Sequence, residues 1–177
     1  MNIILLGYRG CGKTTLGKRL AAKTWRDFID IDQAIRDRYD QRTVAEIWAE
    51  HGEPAYRQTE CEVTAAAVAE PKRVIALGGG TLMQPAAREA VVNAADTKRI
   101  YLHCRPAALV ERINADPASA GSRPSLTEGS TGGGDREEIE QVLAERDPVY
   151  REVADAVLDV THIDAEGALA YIMRTYA

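Results

Sequence analysis

The sequence predicts an α/β protein, a parallel sheet covered by helices on both faces and built around a phosphate-binding loop. Two observations carry this. Short apolar runs alternate with helix-patterned stretches along the chain, the rhythm of a parallel sheet with crossover helices. Directly after the first run stands Gly7-Tyr8-Arg9-Gly10-Cys11-Gly12-Lys13-Thr14, which fits the G-x-x-x-x-G-K-[ST] pattern.

The elements follow in order. Residues 2–6, Asn-Ile-Ile-Leu-Leu, read as a buried strand. After the loop, Leu16 and Leu20 share one face of a helix over 13–23. Strand, glycine loop and helix start together aim backbone N–H groups and a helix dipole at an anion. Gly7 and Gly12 leave room for the backbone to wrap a phosphate, Lys13 reaches the β- and γ-phosphates, and the Thr14 hydroxyl is a Mg²⁺ ligand. The bland alternative, an ordinary glycine turn before a helix, does not account for both flanks.

Further strands are expected at 27–31, 73–77, 99–103 and 156–160, and helices near 32–39, 44–51, 53–69, 85–95, 107–113, 135–150 and 165–175. Thr43 and Glu46 make a capping box for the 44–51 helix, and Gly52 is placed to end it. Pro85 suits the first turn of its helix. Residues 114–134 break the rhythm with Pro117, Gly121, Pro124, Gly129 and Gly132-Gly133-Gly134. A stretch of that length without structure is an active-site lid or a tolerated surface insertion. Arg123-Pro124 at its middle favours a lid that carries a cation to the phosphates.

Composition bounds the function. At 177 residues the chain makes one domain, with at most a mobile subdomain. Its hydrophobic fraction of 45% and charged fraction of 28% are ordinary for a globular protein. A net charge of −5 leaves no footprint for nucleic acid or an anionic membrane. An anionic substrate must then be held by local arginines. Cys11, Cys61 and Cys104 are odd in number and far apart, which suits a reduced cytoplasm. His51, His103 and His162 lack metal-ligand spacing. The short apolar start runs straight into the glycine loop, so neither a signal peptide nor a membrane span is expected. A monomer is the default, since no tail or exposed apolar stripe stands out.

Several residues could carry chemistry. Asp30 and Asp32 alternate at the end of the second strand run, so both carboxylates would share a face. One would serve Mg²⁺ through water and the other would orient or deprotonate an acceptor hydroxyl. Asp32 could equally be a helix N-cap. Arg57 and Glu60 stand at i and i+3, a guanidinium held by its own carboxylate and ready for an anion. Gly78-Gly79-Gly80 closes a strand run, so its amides can approach a ligand. Arg146 lies near a helix end; Arg105, Arg112 and Arg123 are further cations, each weak alone.

In this order and spacing the pieces resemble the shikimate kinase family, in the nucleoside-monophosphate-kinase-like group of P-loop folds. The residues that carry the resemblance are 7–15, Phe28-Ile29-Asp30-Ile31-Asp32, Gly52-Glu53, Tyr56 through Glu60, 77–80, Arg123-Pro124 and Glu145 through Tyr150. The resemblance implies a three-layer α/β/α P-loop kinase fold, a five-stranded parallel sheet in the order 2-3-1-4-5. It implies a substrate region about 31–60 and a lid about 114–134. It also implies ATP and Mg²⁺ as cosubstrate and metal, with transfer of phosphate to the 3-hydroxyl of shikimate in chorismate biosynthesis.

Residue by residue, Gly7, Gly10, Cys11, Gly12, Lys13, Thr14 and Thr15 would wrap the ATP phosphates. Thr14 and Asp30 would hold the metal, and Asp32 the acceptor hydroxyls, as a candidate base. Arg57 and Arg146 would clamp the substrate carboxylate, with Gly78, Gly79 and Gly80 beside it. Arg112 would pack on adenine, and Arg123 would close onto the transferred phosphate. The chain departs from the pattern in the longer, glycine-rich stretch 127–134.

Three other functions fit the sequence less well. A kinase for another small hydroxy acid such as gluconate shares the loop without the Arg57, Glu60, triple-glycine and Arg146 set. A GTPase switch needs N-K-x-D, and Asn93-Ala94-Ala95-Asp96 lacks the lysine. A non-catalytic nucleotide-binding paralogue finds no support, because every matched site residue is present.

Overall fold

The structure, a computed structural model, describes residues 1–115 and 136–176. Five strands form one parallel sheet: β1 (Asn2–Leu6), β2 (Asp27–Asp30), β3 (Arg73–Ala76), β4 (Thr97–His103) and β5 (Ala156–Asp159). Their order is β2-β3-β1-β4-β5, as expected. Eight helices connect them among the described residues: α1 (Lys13–Thr24), α2 (Ile31–Arg38), α3 (Val44–His51), α4 (Glu53–Ala69), α5 (Pro85–Asn93), α6 (Pro106–Ala115), α7 (Arg136–Val153) and α8 (Ala165–Tyr176).

β1 is the central strand because all five of its residues are apolar or buried, and successive side chains feed opposite cores. Ile3 and Leu5 enter one cluster with Leu16, Leu20, Ile100, Leu102 and Leu169. Ile4 and Leu6 enter the other with Ile31, Ile35, Ile47, Ile75 and Tyr150. The long helix α7 serves both, Ile139 and Val142 to the first and Tyr150 and Val153 to the second. β1 pairs with β3 on one side and β4 on the other, so the chain leaves it at the point where strand order reverses. In such sheets ligands bind beyond the carboxyl ends of the strands at that point.

The local signals act as expected in most places. The capping box is complete, with Thr43 and Glu46 each bonded to the other's backbone N–H. Gly52 ends α3 and opens α4 at φ 81°, and Pro85 sits in the first turn of α5. Three expectations need correction. β4 begins at Thr97 instead of Arg99, because Asn2 and Ile3 of β1 pair with Thr97 and Lys98; a ladder bonds backbone whatever the side chains. α7 continues to Val153, since Val153 still has a core to bury into. Asn114 and Ala115 finish α6 and are not part of a loop. The remainder of the expected lid, Arg123 included, lies outside the described residues.

Candidate active site

The loop between β1 and α1 is shaped by backbone conformations that side chains rarely adopt. Gly7 has φ 141°, and a Cβ there would stand 2.7 Å from the Leu102 carbonyl oxygen of β4. Gly12 caps α1 in the left-handed region at φ 95°. The first turn of α1 thereby offers free N–H groups and its positive dipole end to an anion. Lys13, 9% exposed, donates from Nζ to the carbonyls of Gly7 at 2.8 Å and Tyr8 at 2.9 Å. Cys11 is buried in the loop.

Next to Lys13, the Thr14 hydroxyl donates to Asp30 Oδ2 at 2.6 Å. A hydroxyl and a carboxylate at one spot are hard oxygen donors of the kind Mg²⁺ takes, usually with phosphate oxygens and waters completing the set. Among the described residues no three His, Cys, Asp or Glu side chains gather as a metal-holding cluster. Lys13, Thr14, Asp30, Asp32 and Arg112 line one pocket. Thr15, Gly10, Cys11, Gly12 and Arg112 line a neighbouring pocket whose far wall is Val160 and Ile163. Arg112 is fixed there by donating to the Val160 carbonyl at 2.6 Å.

The two aspartates meet, although not by strand alternation. β2 stops at Asp30, which serves as N-cap of α2 by accepting from the Gln33 N–H at 3.2 Å, and Asp32 lies in the first helical turn. The cap is therefore Asp30, and Asp32 is free of that duty. Both still line the phosphate-side pocket, because the first turn of α2 bends the chain back over the end of the sheet.

Asp32 also lines a second cavity, with Arg57, Glu60, Gly79, Gly80 and Arg146 among its walls. Arg57 donates from Nη1 to Glu60 Oε2 at 2.9 Å and from Nε to Glu53 Oε1 at 3.1 Å, and lies over the Trp48 and Tyr56 rings. Glu60 is 1% exposed and also accepts from the Thr81 hydroxyl at 2.7 Å. Burial pushes the Glu60 carboxyl up, against the pull of Thr81 and Arg57. Arg146 donates to the Gly79 carbonyl at 2.9 Å, and the Tyr150 hydroxyl donates to the same oxygen. The triple glycine is needed most at Gly78, where a Cβ would stand 2.6 Å from Asp32 Oδ1 and 2.9 Å from Thr81 Oγ1.

The structure thus brings Lys13, Thr14, Asp30, Asp32, Arg57, Gly79, Gly80, Arg112 and Arg146 together beyond the carboxyl ends of the strands. Several neighbours were given no role of their own from the sequence. Thr81, directly after the glycines, and Tyr150, one turn beyond Arg146, stand at spacings that point to them. Trp48 was given no role from the sequence, and Tyr56 only a place among the residues that carry the resemblance. Arg9 is hidden in a variable position of the loop pattern.

The arrangement has parallels among known proteins. The family model for shikimate kinase matches residues 9–177. The chain is 35% identical over 173 residues to a shikimate kinase of Rhodopirellula baltica, covering 98% of this chain and 89% of that one. It is 41% identical over 159 residues to shikimate kinase 2 of an Enterobacter species, covering 90% and 86%. The solved structure of Acinetobacter baumannii shikimate kinase in complex with shikimate superposes with a TM-score of 0.85 at 29% identity, covering 98% of this chain and 90% of that one.

Proposed function

The chain belongs to the shikimate kinase family, and from that premise we propose that it transfers the γ-phosphate of ATP to the 3-hydroxyl of shikimate. One observation carries the reading: a phosphate-side pocket and a cavity holding two arginines adjoin, and Asp32 lines both. Phosphoryl transfer asks for positioning and charge neutralisation more than for covalent chemistry. Arg57 and Arg146 supply paired cations for a carboxylate, and Asp32 takes the acceptor hydroxyl at the boundary. Lys13 and the α1 N-terminus take the phosphates. Mg²⁺ held by Thr14 and, through water, Asp30 would neutralise charge on the β- and γ-oxygens.

A small polyhydroxy acid fits this division. Groups built to hydrogen-bond hydroxyls and a carboxylate reject analogues that lack them. Arg112, beside Thr15 and Ile163, is assigned to the adenine end of ATP, and Arg123 to the transferred phosphate from the lid at about 114–134. The whole chain, 1–177, is read as one domain with its substrate region at about 31–60. We further assign it a cytoplasmic place and a monomeric state, without a nucleic-acid or membrane partner. The net charge of −5 leaves no field for nucleic acid or an anionic membrane; among the described residues no helix is long and apolar enough to cross a membrane.

The test is ADP release with Mg·ATP and either shikimate, gluconate or no acceptor. Release that depends on shikimate alone is expected. Equal release with gluconate overturns the carboxylate clamp, and slow release in all three overturns the kinase reading.

A further inference from the structure

The geometry points to Arg9 as a catalytic cation for the phosphoryl group in transit, held in place by Glu138 of α7. The inference rests on the kinase reading above and adds to it a residue of the loop's own variable positions. Three arginines line the acceptor cavity, and they differ in what they already hold. Arg57 is bonded to two glutamates, and Arg146 to the Gly79 carbonyl. Arg9 has an 11% exposed side chain, yet its buried Nε and Nη2 have no hydrogen-bond partner among the described residues. Glu138 Oε1 stands 3.7 Å from Nη2. That is close enough for charge attraction and too far for a hydrogen bond. Buried guanidinium N–H groups left unmade are costly, so they mark a place where an anion completes the set.

Position decides which anion. Arg57 and Arg146 line only the acceptor cavity, whereas Arg9 and Asp32 line both it and the phosphate-side pocket. Asp32 is the residue assigned to the acceptor hydroxyl, so the cation that shares its boundary faces the phosphoryl group as it passes. Charge there develops on the equatorial oxygens, and an arginine at such a spot acts on the transition state more than on either bound substrate. Tyr8 supports a cationic setting: burial pushes its hydroxyl up, while Arg9 and Arg146 pull the other way. Glu138 is 3% exposed on α7, the helix that also carries Arg146. It is a positioning residue, setting the guanidinium's angle without touching substrate.

The experiment measures kcat and KM for shikimate and for ATP in the wild type, Arg9→Gln, Arg9→Lys, Glu138→Gln and the double Gln variant. It also measures retention of ADP by aluminium fluoride with shikimate, a mimic of the transferring group. Arg9→Gln is expected to lower kcat about 100-fold with both KM values within about threefold, and to lose the aluminium fluoride complex while still binding ADP. Arg9→Lys should recover part of kcat. Glu138→Gln should lower kcat less, and nothing further when added to Arg9→Gln. A raised KM for shikimate with kcat intact would make Arg9 a carboxylate ligand and overturn the inference. Unchanged kcat and an intact aluminium fluoride complex in Arg9→Gln overturn it as well. A wild type that does not phosphorylate shikimate sinks the kinase reading itself, a separate outcome.

Discussion

Arg57 and Lys13 illustrate two ways of holding a cation in place. Arg57 is committed to Glu60 and Glu53, so its guanidinium is oriented before any ligand arrives. Arg57→Ala removes a charge-assisted contact worth ~1.5–3 kcal/mol, roughly 10- to 150-fold in affinity. The expected outcome in calorimetric titration is that loss for shikimate and little change for ATP. Equal losses would mean that Arg57 is structural. Lys13 holds two carbonyls of its own loop and sits at the helix start. Lys13→Met should abolish transfer while the far-ultraviolet circular dichroism stays that of the wild type, because the proposed role of the lysine is at the phosphates and not in the core. Near-normal turnover in that variant would sink the assignment.

Elements position these residues through close approach. The turn after β3 lets α2, α4 and the 3-10 turn Thr81–Met83 converge on one glycine, Gly78. Gly78→Ala would drive a methyl group into Asp32, Glu60 and Thr81, an overpacking that costs about 1–3 kcal/mol. Turnover should fall more than stability, since the displaced groups are those of the site; a variant with full kcat and an unchanged melting curve would refute this. Helix α3 depends on a different device. Thr43→Ala removes the side-chain half of the capping box and should cost about 1 kcal/mol in denaturant titration. Because Trp48 of α3 lies against Arg57, shikimate affinity should weaken along with stability.

Across the whole molecule, the sheet's far edge is tied down by charge. Arg99 of β4 donates from Nε and Nη2 to both oxygens of Asp155, at 3.1 and 3.0 Å, just before β5. Burial works to raise the Asp155 carboxyl, but the Arg99 guanidinium and backbone N–H outweigh it and hold it below the usual range. A depressed carboxyl contributes stability that is present above its unfolded value of about 3.9 and is lost as pH falls through the folded value. Asp155→Asn should therefore melt lower than the wild type near neutrality, and the gap should close as pH drops below about 4. A gap that stays constant into acid would show that the pair contributes packing and not charge.

The alternation of apolar runs with helical patterns and the spacing of the loop motif are properties of the chain's own order. They were legible in the sequence as strand number, strand identity and the glycine loop before α1, because a local pattern dictates what it dictates wherever the chain then goes. The Arg57–Glu60 pair was legible for the same reason, three residues apart on one helix. Other features depend on residues far apart in sequence. Asp30 and Asp32 meet through a helical turn that closes over the sheet, and Gly79 becomes an anchor only when Arg146 and Tyr150 arrive from α7. The open donors of Arg9 became visible only once the fold had brought two pockets against one loop and Glu138 within reach. Satisfaction of a buried polar group is settled by distance in space, which local pattern does not encode.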